Sequence, residues 1–310
     1  MNVPRSDGPQ VIEGDDGWLY LKEGTNQSYS YLTGNLPVDP GAELHWRRTI
    51  HRRATTFPGC LHLICPEKLA VFPEQVAGFT LDDTRLARRL TNLDGILYPV
   101  QPLRIGQVDG ACSYSKTDTH FSDLGALIAA ELVARHFGVD PQIEPSWTTQ
   151  RIAGDLGSKL DPVQQSDKLV LTTPLPITTH SNGLTNRGRI ISFSNPQALG
   201  GRLLVFGDSF SGINLGRMLA AFFCEVLFVH SLAADYRVIA QFAPDHILFE
   251  FAERFLRDVP ADGLSIESLI VQKLIEGQGD AVQAWQRDCL NPTHQIVDWN
   301  VISHFAQAHS

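Results

Sequence analysis

The stretch from Arg202 to Phe223, RLLVFGDSFSGINLGRMLAAFF, constrains the fold of this chain more than any other. Leu203, Leu204, Val205 and Phe206 form the short unbroken apolar run that a strand buried on both faces uses, and Gly207 ends it. Asp208, Ser209, Phe210 and Ser211 make a tight turn. Beyond it Ile213, Leu215, Met218, Leu219, Phe222 and Phe223 recur at helical spacing. A buried strand that turns into a helix predicts a parallel sheet covered by helices, on which the carboxyl ends of the strands form the crevice for ligands. A serine on that turn meets helix N-terminal amides able to hold a developing oxyanion. It still needs a base, and a group that orients the base, to act as a nucleophile. The same turn reads equally as a helix cap, with Asp208 or Ser209 as the capping side chain.

The remainder of the chain repeats the alternation. Cys60 to Cys65, CLHLIC, reads as a buried strand stopped by Pro66, which puts Glu67 and Lys68 at its carboxyl end. Leu81 to Leu93 reads as an amphipathic helix with a basic outer face and Gly95 to Val100 as a strand. Glu225 to His230, Asp235 to Phe242 and His246 to Phe251 add strand, helix and strand. With 310 residues and 43% hydrophobic composition the chain can bury one substantial core, and the expected class is α/β, with helices on both sides of a mostly parallel sheet. Gly41 to Thr56 reads as a helix whose basic residues, His45 through Arg53, form a solvated face. Gly14 to Leu21 reads as a turn and edge hairpin with Trp18 and Tyr20 on one side.

Residues 143–199 are rich in Thr and Pro with strand-like alternation. They are expected to form a β-rich insertion between two halves of the sheet, serving either as a wall of the cleft or as a structural flap. Asn182, Asn186, Arg187 and Arg189 are weak sugar-binding candidates within it. The expected organisation is a main domain over 1–258 and a helical extension over 259–310.

Charge and composition exclude several classes. Lys plus Arg total 25 against 34 Asp plus Glu, a formal net charge of -9, which argues against an extended nucleic-acid surface. No apolar run approaches the roughly 18 residues of a membrane span, so direct membrane insertion is not expected. The first residues lack a basic start followed by an apolar core, so the sequence as it stands reads as cytoplasmic, or as periplasmic if a leader has been removed. The cysteines Cys60, Cys65, Cys112, Cys224 and Cys289 are odd in number and read as reduced structural thiols. No HExxH or CxxC spacing occurs, and neither a metal nor a cofactor is expected.

The second informative stretch, Tyr114 to Gly125, reads YSKTDTHFSDLG. Ser122 is placed to cap a helix whose apolar face is Leu124, Leu127, Ile128, Leu132 and Val133, with Gly138 as its stop. Asp118 and His120 then lie on the loop before that helix. Asp118 can take the Nδ1 proton of His120 and leave Nε2 free to accept a proton from Ser209. The alternative is a polar loop with no chemistry. His180, His230 and His246 compete for the base, but none sits in a polar loop before a helix with a carboxylate two residues away. Glu250, Glu253 and Arg254 gather at the exit of the last strand, where a buried Glu–Arg pair or a substrate contact is expected.

Taken together, Asp15 to Leu21, Pro66-Glu67-Lys68 followed by Phe72-Pro73-Glu74, Lys116-Thr117-Asp118-Thr119-His120, Gly207-Asp208-Ser209-Phe210 and Glu253-Arg254 resemble the alginate O-acetyltransferase group, the AlgX and AlgJ type, of SGNH hydrolase-like proteins. The resemblance spans about 14–256 with all motifs in the same order. It implies an SGNH hydrolase-like three-layer α/β/α fold and a serine-dependent O-acetyltransferase with Ser209 as nucleophile, His120 as general base and Asp118 as its orienter. Asp and His precede Ser, the reverse of ordinary SGNH esterases, which a geometric constellation tolerates. Gly207, Asp208, Phe210 and Arg254 become oxyanion-side or supporting candidates, and Lys116, Phe121, Glu67 and Lys68 weaker substrate-side ones. Phe121 stands where the group has Trp. The implied partners are a carbohydrate acceptor, an acyl donor and polysaccharide-biosynthesis proteins. A carbohydrate acetylesterase using the same residues and a non-catalytic glycan-binding or assembly protein are the alternative readings.

Overall fold

The computed structural model describes residues 10–22, 27–36, 38–288 and 290–308. Cys289 lies outside them, and the other four cysteines carry free thiols. The chain builds thirteen strands among the described residues: Val11–Glu13 (β1), Leu19–Leu21 (β2), Leu61–Cys65 (β3), Ile96–Leu97 (β4), Gln107–Val108 (β5), Ala111–Cys112 (β6), Trp147–Ile152 (β7), Ser166–Leu171 (β8), Thr178–Ser181 (β9), Ile190–Ser194 (β10), Gly200–Gly207 (β11), Phe223–His230 (β12) and His246–Ala252 (β13). Seven of them form one sheet in the order β4-β3-β13-β11-β12-β10-β9. β4 through β12 in that order run parallel, whereas β10 and β9 are antiparallel additions at one edge.

The apolar runs are continuous because both faces of the sheet are covered. Leu203 and Val205 of β11 point into one core with the Asp123–His136 helix and the helix that follows β11. Leu204 and Phe206 point into the other, with Trp46, Val238, Phe242 and Ile270. Helix, sheet and helix thus form three layers. From β11 the chain crosses one face to β12 on one side, then the other face through the Tyr236–Phe242 helix to β13 on the opposite side. This reversal makes the carboxyl end of β11 a topological switch point, the place where such sheets open a crevice.

Several expectations are corrected. The helix after the turn ends at Leu219, and Phe223 instead opens β12, because the chain must re-enter the sheet beside β11. Over 81–93 only Leu86–Leu90 is helical, since Arg85 stays extended to place its guanidinium on Glu253 at 2.6 Å. β4 is two residues long, and Pro99, which has no N–H to donate, leads into the Val100–Ile105 helix.

The basic face of the Ala42–Thr56 helix is not wholly solvated. Trp46 is buried and donates to Leu256 O, and Arg53, 1% exposed, pairs with Asp262 at 2.7 Å and lies over the Phe249 ring at 3.9 Å. Residues 143–199 are not one insertion either. β7 and β8 form a separate hairpin, while β9 and β10 extend the main sheet. The helices Ile266–Ile275 and Gly279–Arg287 in the 259–310 stretch pack on the sheet through Ile266, Ile270, Val282 and Trp285, joining the same core as Phe249.

His62 of β3 is buried and stacks on the Phe249 ring at 5.1 Å, with neither ring nitrogen hydrogen-bonded. Burial, with the Arg53 charge, pulls its pKa down to about 3. The folded imidazole therefore stays neutral while the unfolded one takes a proton below about 6.5, so stability is lost as pH falls through that window. The penalty reaches about 2 kcal/mol at pH 5. His62→Phe is expected to flatten the fall in stability between pH 7 and 5, read from urea unfolding at each pH; an unchanged slope would refute the assignment.

Candidate active site

Two segments far apart in sequence meet at the carboxyl end of β11. The first is the turn after the strand. Ser209 begins the helix, which continues through a π-type turn at Ser211–Leu215 into Gly216–Leu219. Gly207 lies so close to β13 that a Cβ would stand 2.5 Å from Glu250 Oε2, so only glycine fits. Glu250 is fully buried and accepts from the amides of Asp208 and Ser211 and from the Ser211 hydroxyl, the last at 2.7 Å. Burial, reinforced by the nearby Asp208 charge, pushes its carboxyl well above the usual range. Asp208 accepts from the amide of Phe210 at 3.0 Å and from that of Ala252 at 2.7 Å, clipping the turn to β13. Asp208, Phe210 and Ser211 thus each spend an amide on a carboxyl oxygen. The Ser209 amide makes no such bond among the described residues, and it lies at a helix start where an oxyanion is favoured.

The second segment is the loop 113–122. Ser122 caps the Asp123–His136 helix by accepting from the Gly125 amide, as its spacing predicts. Lys68, 3% exposed, donates its Nζ protons to the carbonyls of Ser115, Lys116 and Asp118 at 2.8–3.0 Å. Burial draws its pKa down to about 7, against the Asp118 and Asp155 charges that favour the ammonium. Asp155 accepts from the Thr119 amide and hydroxyl, both at 2.7 Å. Gly154, at φ +64°, lets the backbone of Thr117 approach where a Cβ would clash at 2.3 Å. Asn214, on the helix after Ser209, donates to Phe121 O at 2.6 Å and ties the two segments together.

These supports bring three side chains into line. Asp118 Oδ1 lies 2.9 Å from His120 Nδ1 and 2.8 Å from the His120 amide, and His120 Nε2 lies 2.9 Å from Ser209 Oγ. A carboxylate only accepts, so Nδ1 carries the proton and Nε2 is left to accept from the serine hydroxyl. Burial works against the Asp118 charge, but its bonds to the His120 ring and amide outweigh it and hold the carboxyl well below its ordinary range. The arrangement can therefore remove a proton from Ser209 while keeping the base in a fixed tautomer.

The other sequence candidates are placed differently. Phe210 is buried and packs its ring on His120 at 5.2 Å and on Phe121 at 4.7 Å. Arg254 is buried on Glu67 at 2.8 Å rather than on Glu253, which instead holds Arg85, so the strand exit carries two ion pairs. Glu67, Lys68 and Phe121, expected on the substrate side, are all buried, Glu67 holding Arg254 and Lys68 the loop carbonyls. Lys116 turns away to the carbonyl of Asp16, in a groove beside Trp18 and Arg151. Asp155 escaped the sequence reading, because it has no motif. Glu250, expected in an ion pair or a substrate contact, instead collects amides, and His230, a competitor for the base, enters the crevice because β12 lies beside β11.

Asp118, His120 and Asp155 bring ligand-type atoms within 4.8 Å of one another, as a metal site would. Each of the three is already engaged with protein partners, the carboxylates accepting from amides, the Thr119 hydroxyl and the imidazole, which fits a clamp on the imidazole.

No protein-family model and no curated protein matches this sequence. Among solved structures, a DHHW family protein from Eubacterium siraeum superposes with a TM-score of 0.56 at 12% identity, over 86% of this chain and 97% of its own. Bacillus cereus PatB1, in a structure with a sulfonyl adduct, gives 0.57 at 12% identity over 79% of this chain and 95% of its own. The O-acetyltransferase domain of Pseudomonas putida AlgJ gives 0.44 at 18% identity over 86% and 99%. The first two share the architecture of this chain, a mixed α/β fold on a mostly parallel sheet.

Gly207→Ala is expected to destabilise the protein by about 1–3 kcal/mol, because the buried Glu250 carboxyl group cannot retreat without dropping its amide donors. Chemical denaturation measures this, and wild-type stability in the variant would show that the close approach imposes no constraint.

Proposed function

We propose that this protein is a serine-dependent O-acyltransferase, moving an acetyl-type group from a donor ester to a carbohydrate hydroxyl through an acyl-enzyme on Ser209. The observation that carries the reading is the unbroken line Asp118–His120–Ser209, with 2.9 Å at both imidazole nitrogens. Ser209 Oγ attacks the acyl carbon as its proton passes to His120 Nε2, and the leaving oxygen departs with that proton. In the second half-reaction the acceptor hydroxyl gives its proton to the same nitrogen as its oxygen bonds the acyl carbon, and the bond to Ser209 Oγ breaks as that proton returns to Oγ. The Ser209 amide at the helix start faces the oxyanion of each intermediate. Asp118 stabilises the imidazolium formed in both halves.

The carbohydrate acceptor and the SGNH hydrolase-like assignment rest on the motif resemblance, and the shared architecture with PatB1 is compatible with both. The sulfonyl adduct in that protein's structure suggests a direct probe here, since sulfonyl fluorides esterify an activated serine and release fluoride. Whether the acyl-enzyme is resolved by a sugar or by water depends on which reaches the site, not on the three residues themselves.

Ser209→Ala is expected to lower turnover of 4-nitrophenyl acetate by at least about a thousandfold, and Asp118→Asn by about a hundredfold or more, with the fold intact by circular dichroism. Retention of activity in Ser209→Ala would sink the reading. A sulfonyl fluoride is expected to add one sulfonyl group to the wild type and none to Ser209→Ala, by intact mass. Neutral oligosaccharides should speed 4-nitrophenol release and gain acetyl mass; release without acetylated sugar would make the protein an esterase.

A further inference from the structure

A cavity of about 500 Å³ opens beside Ser209. Its apolar wall comes from chain beyond the catalytic turn: Leu232 after β12, and Phe255, Val259, Leu264 and Leu269 after β13. Leu264 leaves 46% of its surface to water, an exposure that a ligand in the cavity would relieve. Of the polar groups that line it, those beside the catalytic turn are engaged. Asp208 has both oxygens bonded to amides, and the Ser231 hydroxyl donates to Ala233 O. His230 is held neutral by burial, its pKa drawn down to about 4. The exposed Asn186, Arg187 and Asp258 line the same cavity.

A sugar seated against that wall would give up water at its hydroxyls and find few hydrogen-bond partners in return. A hydrocarbon chain has no such loss. An acetyl methyl would leave most of the volume without contact, whereas each further methylene laid on the apolar wall is worth about fourfold in affinity.

We infer that this cavity receives the acyl chain of the ester formed on Ser209, and that the preferred donor carries a linear acyl group of several carbons rather than acetyl. The inference rests on the acyl-enzyme reading and leaves its step unchanged. The Oγ–acyl carbon bond forms as the bond to the leaving oxygen breaks, and the serine proton travels through His120 to that oxygen. What the cavity adds is selection of the group transferred.

The test is a series of 4-nitrophenyl esters with two, four, six and eight acyl carbons. The constant leaving group isolates the contribution of the chain. Wild type, Leu264→Trp, Ala261→Phe and Ser209→Ala are compared, the middle two adding bulk at exposed residues that line the cavity. In the wild type kcat/KM is expected to rise from acetyl to hexanoyl by about tenfold or more. The hexanoyl-to-acetyl ratio is expected to collapse towards one in both filling variants, chiefly through KM. A wild-type profile that falls from acetyl upward, or a ratio unmoved by both filling variants, overturns the inference while Ser209-dependent acetyl turnover keeps the acyl-transfer reading. Turnover in Ser209→Ala equal to wild type across the series overturns both.

Discussion

The 2.9 Å contact between His120 and Ser209 joins residues 89 positions apart, and it holds only because a buried charged or carboxyl group fixes the backbone on each side. On one side Glu250 and Asp208 collect the amides of the turn. On the other the Lys68 ammonium collects three carbonyls of the loop. The two devices are complementary: carboxyl oxygens organise donors where a helix begins, and an amine organises acceptors where a loop has no regular partner. Neither segment could supply these bonds from its own backbone, because a tight turn and an irregular loop both leave amides or carbonyls without ladder partners. The supports are buried because their bonds gain strength away from water, and an unpaired group there would be expensive.

Precision at the site therefore derives from the sheet. β3 carries Lys68 at its exit, β13 carries Glu250, and β11 carries the turn itself; these three strands are adjacent, with β13 in the middle. Phe121 and Phe210, in contact at 4.7 Å, fill the space between the loop and the turn, so the imidazole rests on an aromatic surface rather than on solvent. Rigid positioning of this kind is what lets a weak nucleophile and a weak base act together.

Much of this was legible in the sequence because the strongest signals were local. The LLVF run, the Gly207 stop, the Ser122 cap and the two-residue spacing of Asp118 and His120 each need only a few neighbouring residues. What escaped was non-local. Arg53 and Arg85 look like solvent-facing members of basic helices, and only the arrival of Asp262 and Glu253 from the far end of the chain buries them. Lys68 and Glu67 sit at a strand exit where substrate contacts are common, but their partners lie about fifty and nearly two hundred residues away. β9 and β10 carry the alternation of an independent hairpin, and nothing within them announces that β12 will accept them as neighbours.

Most of the apolar wall of the cavity beside Ser209 is built by 255–269, downstream of every residue in the Asp118–His120–Ser209 line and of the carboxyl groups beneath it. Under the proposed acyl transfer, reactivity and selectivity are therefore written in separate stretches of the chain. Substitutions in the later stretch can remodel what the crevice holds while the proton path is inherited unaltered, so a lineage built on this scaffold can diversify its substrates without rediscovering its chemistry.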